Sequence, residues 1–276
     1  MHTVLYDNLG TGPSFILAKV NADAIASNPG VGYGLVEDFD AFGQTVAVTS
    51  NVGYYAGKSG AWKSYEDNSC AITPQATVNG EIVIATTTSD NVEVWLQSGA
   101  SAAAPFVISD TSGSDKKLVF EARVKTSTAT NSKFGFFVGL AEEGLAAADT
   151  IADDGTLASK DLIGFFRPEG DGDGIDFVYQ KAGQALQTIV ADITVAADTY
   201  LKLGFVYDPA APAAKRIAVY VDGVEQSTYV TATNIAAATF PDGEELGVLI
   251  GGKNATNVQY TLAADWLYAF QERYQS

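Results

Sequence analysis

Residues 118–125 read Leu-Val-Phe-Glu-Ala-Arg-Val-Lys, and this stretch decides the fold. Leu118, Phe120, Ala122 and Val124 fall on one side of an extended chain, while Lys117, Glu121, Arg123 and Lys125 fall on the other. A period of two sends successive side chains to opposite faces, so this is a strand with one core face and one wet face. The same pattern recurs along the chain. Phe134, Phe136, Val138 and Leu140 alternate with Gly135, Phe137 and Gly139. Ile175, Phe177 and Tyr179 alternate with Asp176, Val178 and Gln180, and Leu201, Leu203, Phe205 and Tyr207 with Lys202, Gly204 and Val206. Ile217, Val219 and Val221 run into Asp222-Gly223, a short hairpin signal, and Val224–Val230 returns. Earlier strands are expected at Ile82–Ala85 and Val92–Leu96. A long last strand is expected to carry Val258, Tyr260, Leu262, Ala264, Trp266, Tyr268 and Phe270 on its core side.

Roughly a dozen strands arise in this way, and helical candidates such as Gly144–Ala152 are short. Antiparallel strands that are apolar on one face and wet on the other bury the apolar faces by stacking as two sheets. The expected fold is therefore all-β, a two-sheet antiparallel sandwich. Glycines 135, 139, 164 and 204 lie inside strands, where they permit curvature or close approach of backbone. Residues 1–36 read differently. Gly10-Thr11-Gly12-Pro13, Asn28-Pro29-Gly30 and Gly32-Tyr33-Gly34 are turn chemistry around a helix-compatible stretch at Val20–Ser27. Residues 1–36 are expected to form an extended N-terminal arm and residues 37–276 the sandwich domain. The apolar anchors of the arm, Leu5, Phe15, Ile16 and Leu17, need burial on their own sandwich or on a neighbouring subunit. They are the candidate partner-binding residues.

The chain of 276 residues is 47% hydrophobic and 11% aromatic, ample for a large core. Acidic side chains number 33 and basic ones 16, a net charge of −17. Nucleic-acid binding is not expected, because the only basic concentration is interrupted by Asp115 and Glu121 (Lys116, Lys117, Arg123, Lys125 and Lys133). No run of about 18 apolar residues suggests a membrane span. The N-terminal residues show no signal peptide, so synthesis in a reducing cytosol is expected. The single cysteine, Cys70, reads as a small buried hydrophobe.

Catalysis on a sandwich usually places carboxylates at i, i+2 and i+4 on one strand face, and no such acidic triplet exists here. His2 is the only histidine, which removes Ser-His-Asp and Cys-His arrangements and most zinc sites. No catalytic residue, metal site or cofactor is assigned, and the chain is expected not to be an enzyme. One acidic stretch, Glu169-Gly170-Asp171-Gly172-Asp173-Gly174-Ile175-Asp176, has the closely spaced carboxylates that a calcium ion uses. Asp171, Asp173 and Asp176 are its candidate ligands, and a solvent-exposed turn is the alternative reading. Tyr54, Tyr55, Trp62 and Tyr65 lie together and invite a sugar platform, although core and loop anchoring accounts for most of them.

Six segments then occur in a telling order: Phe120–Lys125, Phe136–Leu140, Leu162–Phe165, Leu203–Asp208, Val219–Val224 and Asp265–Phe270. Together they resemble the concanavalin A-like lectin/glucanase, or laminin G-like, jelly roll over about residues 80 to 270. Within that superfamily the chain looks most like virion structural proteins of tailed bacteriophages, of the capsid decoration or cement type. The resemblance implies a place on the capsid exterior. The major capsid protein and neighbouring copies of the chain would be its partners, with a homo-oligomer, a trimer, as the working form. The acidic strand triplet of the glucanase members is missing, so their activity is not carried over. The alternative is a carbohydrate-binding, lectin-like module of a tail or receptor-binding apparatus, with its sugar-binding residues unassigned.

Overall fold

The structure is a computed structural model and describes residues 32–273 apart from 59, 76–79, 100–103, 112–114 and 170–173. The first strands are β1 (Gly32–Glu37), β2 (Gly43–Thr49), β3 (Val52–Gly57), β4 (Gly60–Glu66), β5 (Ala71–Gln75) and β6 (Glu81–Ala85). Next come β7 (Glu93–Ser98), β8 (Phe106–Val107), β9 (Leu118–Thr126), β10 (Phe134–Ala141), β11 (Leu162–Arg167) and β12 (Ile175–Gln180). The last are β13 (Gln187–Ile193), β14 (Leu201–Tyr207), β15 (Ile217–Val221), β16 (Val224–Val230), β17 (Glu245–Asn254) and β18 (Thr261–Glu272). A one-turn helix, α1 (Ala232–Ile235), sits between β16 and β17.

Two antiparallel sheets form. Sheet A has the order β16-β15-β14-β9-β18-β6-β5, and β1 also pairs with β18. Sheet B has the order β13-β12-β11-β10-β17-β7-β4-β3-β2, and β8 also pairs with β17. The core lies between them and is mostly apolar, with the buried Arg167 guanidinium 5.8 Å from the Phe136 ring and bonded to the Thr128 carbonyl at 2.7 Å. Phe120 and Phe205 of sheet A stack at 5.5 Å, Phe205 meets Phe177 of sheet B at 5.4 Å, and Phe177 meets Phe165 at 5.1 Å. Such ring contacts add to area burial and tie the two sheets together. The alternation expected for β9, β10, β12 and β14 holds, with Phe120, Phe136, Phe177 and Phe205 all in this core. Asp222 and Gly223, both at positive φ (50° and 78°), close the β15–β16 hairpin.

Four expectations are corrected. Gly32–Val36, assigned to the arm, belong to β1, which pairs with the C-terminal half of β18 from Gly32↔Glu272 to Glu37↔Leu267. The short helical candidate at Gly144–Ala152 is not a helix: turns and bends lead to Ile151, which makes an antiparallel bridge to Leu157. Val258 stays outside the last strand and is exposed. Within β18 the pairing with β9 shifts between Ala264↔Val124 and Trp266↔Arg123, so Asp265 is an extra, bulged residue. One extra residue inverts the faces downstream. Leu262, Ala264, Leu267 and Ala269 point into the core, while Trp266, Tyr268 and Phe270 turn to the outer face of sheet A and stay buried there. Trp266 and Tyr268 stack at 5.6 Å, and Tyr268 and Phe270 lie 6.0 Å apart. Gly34 permits this ladder, because a Cβ there would lie 2.3 Å from the Phe270 ring.

Candidate functional site

The outer face of sheet A holds a polar pocket at its β15–β16 edge. Period-two alternation puts Val206 of β14, Ala218 and Tyr220 of β15, and Glu225 and Tyr229 of β16 along it. Asp208, Ala211, Pro212 and Lys215 from the β14–β15 connection, with Lys117 before β9, complete a recess of about 180 Å³. The Tyr220 hydroxyl donates to Glu225 Oε2 at 3.0 Å and the Tyr229 hydroxyl to Glu225 Oε1 at 2.8 Å. Lys215 donates to the Tyr229 hydroxyl at 2.9 Å and lies 4.3 Å from its ring centre. Lys117 pairs with Asp208 at 2.9 Å. Burial, then the hydrogen bond to Glu225 and its charge, push the Tyr220 phenol far above its usual range. It stays protonated and donates. Two carboxylates and two ammonium groups balance, so the pocket is close to neutral. Tyr220 is buried, so the recess offers one half-buried ring, that of Tyr229 beside Lys215, with the exposed Glu225 carboxylate and hydroxyls held on it, an arrangement compatible with a small polyhydroxylated molecule.

Further along this face, Arg123 pairs with Asp265 and lies 3.8 Å from the centre of the Tyr200 ring. Lys125 pairs with Glu81 at 3.1 Å and approaches the same ring at 4.6 Å. The cations of the expected basic concentration are thus engaged by carboxylates at Lys117, Arg123 and Lys125.

The outer face of sheet B is built differently. Residues 142–161 connect the adjacent strands β10 and β11 and fold back over the sheet as a strap. Leu145, Ala146, Ile151 and Leu157 of the strap pack against Trp95, Phe137, Leu162, Phe166, Val178 and Leu249. Gly139 and Gly164 face each other across β10 and β11, and a Cβ on either would lie 2.9 Å from the Phe137 ring. Beneath the strap, Glu93 Oε2 accepts the Trp95 indole N–H at 2.9 Å and the Thr150 N–H at 3.2 Å. Glu93 Oε1 accepts the Ile151 N–H at 3.3 Å and lies 3.8 Å from Lys253 Nζ. Gln97 accepts the Ala146 N–H at 3.2 Å and donates to the Glu142 carbonyl at 2.6 Å. Lys253 donates to the Ile151 carbonyl at 3.0 Å and to Asp153. Burial pushes Glu93 up to about 7, outweighing the Trp95 N–H, the Lys253 charge and the strap amides that lower it.

Two open clefts of about 470 and 490 Å³ flank α1 and share Asp110, Ile235 and Ala236. Small side chains of and after α1 line one side, with the charged Asp110, Asp115, Lys181, Arg216 and Asp242 around them, and Tyr207 there is buried with its hydroxyl on the Ser109 carbonyl at 2.5 Å. They offer no exposed ring.

The candidates named from sequence fare unevenly. Leu5, Phe15, Ile16 and Leu17, and Asp171 and Asp173, lie outside the described residues. Asp176 is on β12 and its Oδ1 accepts the Asp192 N–H at 3.0 Å. Among the described residues no cluster of three or more metal-ligating side chains occurs. Tyr55 and Trp62 are core residues, and Tyr65 packs under the strap, so the aromatic stretch is a hairpin rather than a platform. Cys70 is buried in the core, and its thiol is pushed up to about 12 by burial. Sequence reasoning missed Glu93, Gln97, Lys253 and Glu225. A signal for the first two existed: Glu93 and Trp95 stand at i and i+2 on the strand anticipated at Val92–Leu96, and Gln97, at i+4, follows directly on it.

No family model and no curated protein matches the chain. Among solved structures it is similar to a Shewanella oneidensis MR-1 protein of unknown function, at 16% identity and a TM-score of 0.51, over 89% of this chain and 90% of that one. It is also similar to the carbohydrate recognition domain of Emp47p, at 13% identity and 0.49, over 86% and 94%. An endo-1,3-β-glucanase from Streptomyces sioyaensis matches at 14% identity and 0.44, over 86% and 95%. At such identities a likeness bears on fold alone. The chain is an all-β, two-sheet antiparallel jelly-roll sandwich, and its structural neighbours include lectin-type and glucanase-type domains.

Proposed function

We propose that this chain is a non-catalytic, carbohydrate-binding module with its sugar seat in the recess at the β15–β16 edge. The observation that carries the reading is the convergence of the Tyr220 and Tyr229 hydroxyls on Glu225 beside the Lys117–Asp208 pair. Sugar rings stack on aromatic faces, and their hydroxyls need donors and acceptors held in place. A recess of about 180 Å³ takes one sugar residue of a longer glycan. Binding rather than catalysis is favoured because Glu225 is held by two phenols, and the most deeply buried carboxylate of sheet B, Glu93, is spent on the strap. A glycan array followed by titration calorimetry tests this. Tyr229→Ala should weaken a glycan hit by about tenfold or more, and Val46→Ser, an exposed change on the other sheet, should not. A blank array sinks the carbohydrate reading. A hit that Tyr229→Ala leaves unchanged moves the seat elsewhere.

A second reading is a virion subunit that decorates the outer surface of a bacteriophage capsid, bound to the major capsid protein and to copies of itself. The net charge of −17 favours it, since an acidic protein does not adhere to the polyanion packaged inside such a shell. Co-sedimentation with purified capsids separates the readings: pelleting with capsids together with a blank array supports the second.

A further inference from the structure

Trp266, Tyr268 and Phe270 stand on the outer face of sheet A, yet none is more than 1% exposed. Val119 beside them on β9 is fully buried, and so is Glu121, whose carboxylate accepts the Tyr268 hydroxyl. The apolar groups that pack with this ladder, Val36, Val119, Val206, Ala218 and Tyr220, all belong to strands of the same sheet. Side chains standing side by side on a sheet cover one another's flanks and leave their tips in water, so full burial requires a further layer. The Trp266 indole N–H is also buried with no acceptor among the described residues, and a layer over it supplies one. We propose that this layer is the N-terminal segment of the same chain, with residues 1–31 lying across the outer face of sheet A and their apolar side chains set on the Trp266–Tyr268–Phe270 ladder.

The path of the chain leads there. The described residues begin at Gly32, and β1 runs antiparallel along the C-terminal half of β18, the half that carries the ladder. Gly32 pairs with Glu272 and Gly34 lies against the Phe270 ring, so the segment joins the sheet beside the Phe270 end of the ladder. Seven strands spaced about 4.8 Å apart make a face roughly 30 Å wide. An extended chain of that segment's length spans up to about 100 Å, enough to cross the face and return. Leu5, Phe15, Ile16 and Leu17 are the side chains that need such a surface.

The chain's own segment is favoured over that of a second copy for two reasons. A short covalent tether holds the segment beside the face at a far higher local concentration than a free copy reaches. A net charge of −17 on each chain also sets copies apart. The layer borders the recess at the β15–β16 edge, because Val206, Ala218 and Tyr220 belong both to the buried cluster and to the recess walls.

Two measurements on the full chain test this. Lys19 is the one lysine before residue 32. A lysine-specific cross-linker should join it to Lys117, Lys125, Lys202 or Lys215, on or beside the outer face of sheet A, rather than to Lys63 or Lys160 on the side of sheet B. A mixture of isotopically light and heavy protein should give these links within one copy. The second measurement reads Trp266. Trp62 lies between the sheets and Trp95 under the strap, so loosening the segment uncovers Trp266 alone of the three tryptophans. Phe15→Asp together with Ile16→Asp should shift the emission to the red and raise its quenching by acrylamide, and Trp266→Phe in the same background should cancel both changes. Links from Lys19 that run chiefly to sheet B or between copies, or no link to the outer face of sheet A, overturn the proposal. So does emission that the double change leaves as it was in a folded protein. The cross-links use the unaltered chain and decide alone where the double variant does not fold.

Discussion

The space between the two sheets and the space under the strap are both dry, yet they are built on different principles. Between the sheets, Phe120, Phe165, Phe177 and Phe205 meet ring to ring, and the buried Arg167 guanidinium beside Phe136 bonds the Thr128 carbonyl and keeps its charge at every ordinary pH. Under the strap, Trp95 and Phe137 share the contact with Glu93, Gln97 and Lys253. Dispersion and area burial act the same at every pH, whereas a buried carboxyl makes its contact depend on protonation. The contact under the strap therefore holds a titratable carboxyl where the stacked rings between the sheets hold none.

The largest effect should come from the interior. Phe136 and Phe137 are neighbours in sequence that point to opposite sides of sheet B. Phe136→Ala leaves a cavity between two sheets that cannot collapse, and should cost about 3–5 kcal/mol in denaturant unfolding. Phe137→Ala lies under a segment able to settle, and should cost about 1–3 kcal/mol. Equal losses would erase the distinction between the two regions.

The pH dependence comes next. Glu93 sits at about 7 in the folded protein, above the ordinary carboxylate value of the unfolded chain. Its contribution is fully present below that unfolded value and is lost as pH rises through about 7. The loss is at most about 3 kcal/mol by linkage. Comparing melts of the unaltered protein and Glu93→Gln from pH 4 to 8 isolates it, and parallel curves would remove Glu93 from the account.

Arg123→Ala sharpens the comparison on the other sheet. From alternation alone Arg123 is a surface residue whose loss matters little. In the structure its side chain is 16% exposed, and its partner Asp265 is 5% exposed at the bulge of β18. Removing it strands a buried carboxylate, so about 1–3 kcal/mol is expected. A cost below about 0.5 kcal/mol would mean that water already serves Asp265. The smallest effect is expected from chelation. Melts with and without a chelator should coincide, and a drop of several degrees would bring the carboxylates around Asp176 back as a calcium site.

How far the sequence could be read follows from the range of the signal. Period-two alternation reports which side a residue takes only while the strand is unbroken. It placed Phe120, Phe136, Phe177 and Phe205 correctly, and failed for Trp266, Tyr268 and Phe270, because one extra residue at Asp265 exchanges the faces. The candidate sites suffered more. Glu93 stood on the anticipated strand and Gln97 just past its end, but their partners Ala146, Thr150 and Ile151 lie 49 to 58 residues onward, in a stretch that read as a short helical candidate.

The sequence by itself determined the class of the protein: an apolar-and-wet alternation repeated in strand after strand has no stable arrangement except stacked sheets. Only the tertiary structure decided which polar groups matter. Glu93 is bonded by strap amides and Glu225 by two phenols because of the segments that fold beside them, and contacts between distant segments leave no periodic trace in the chain.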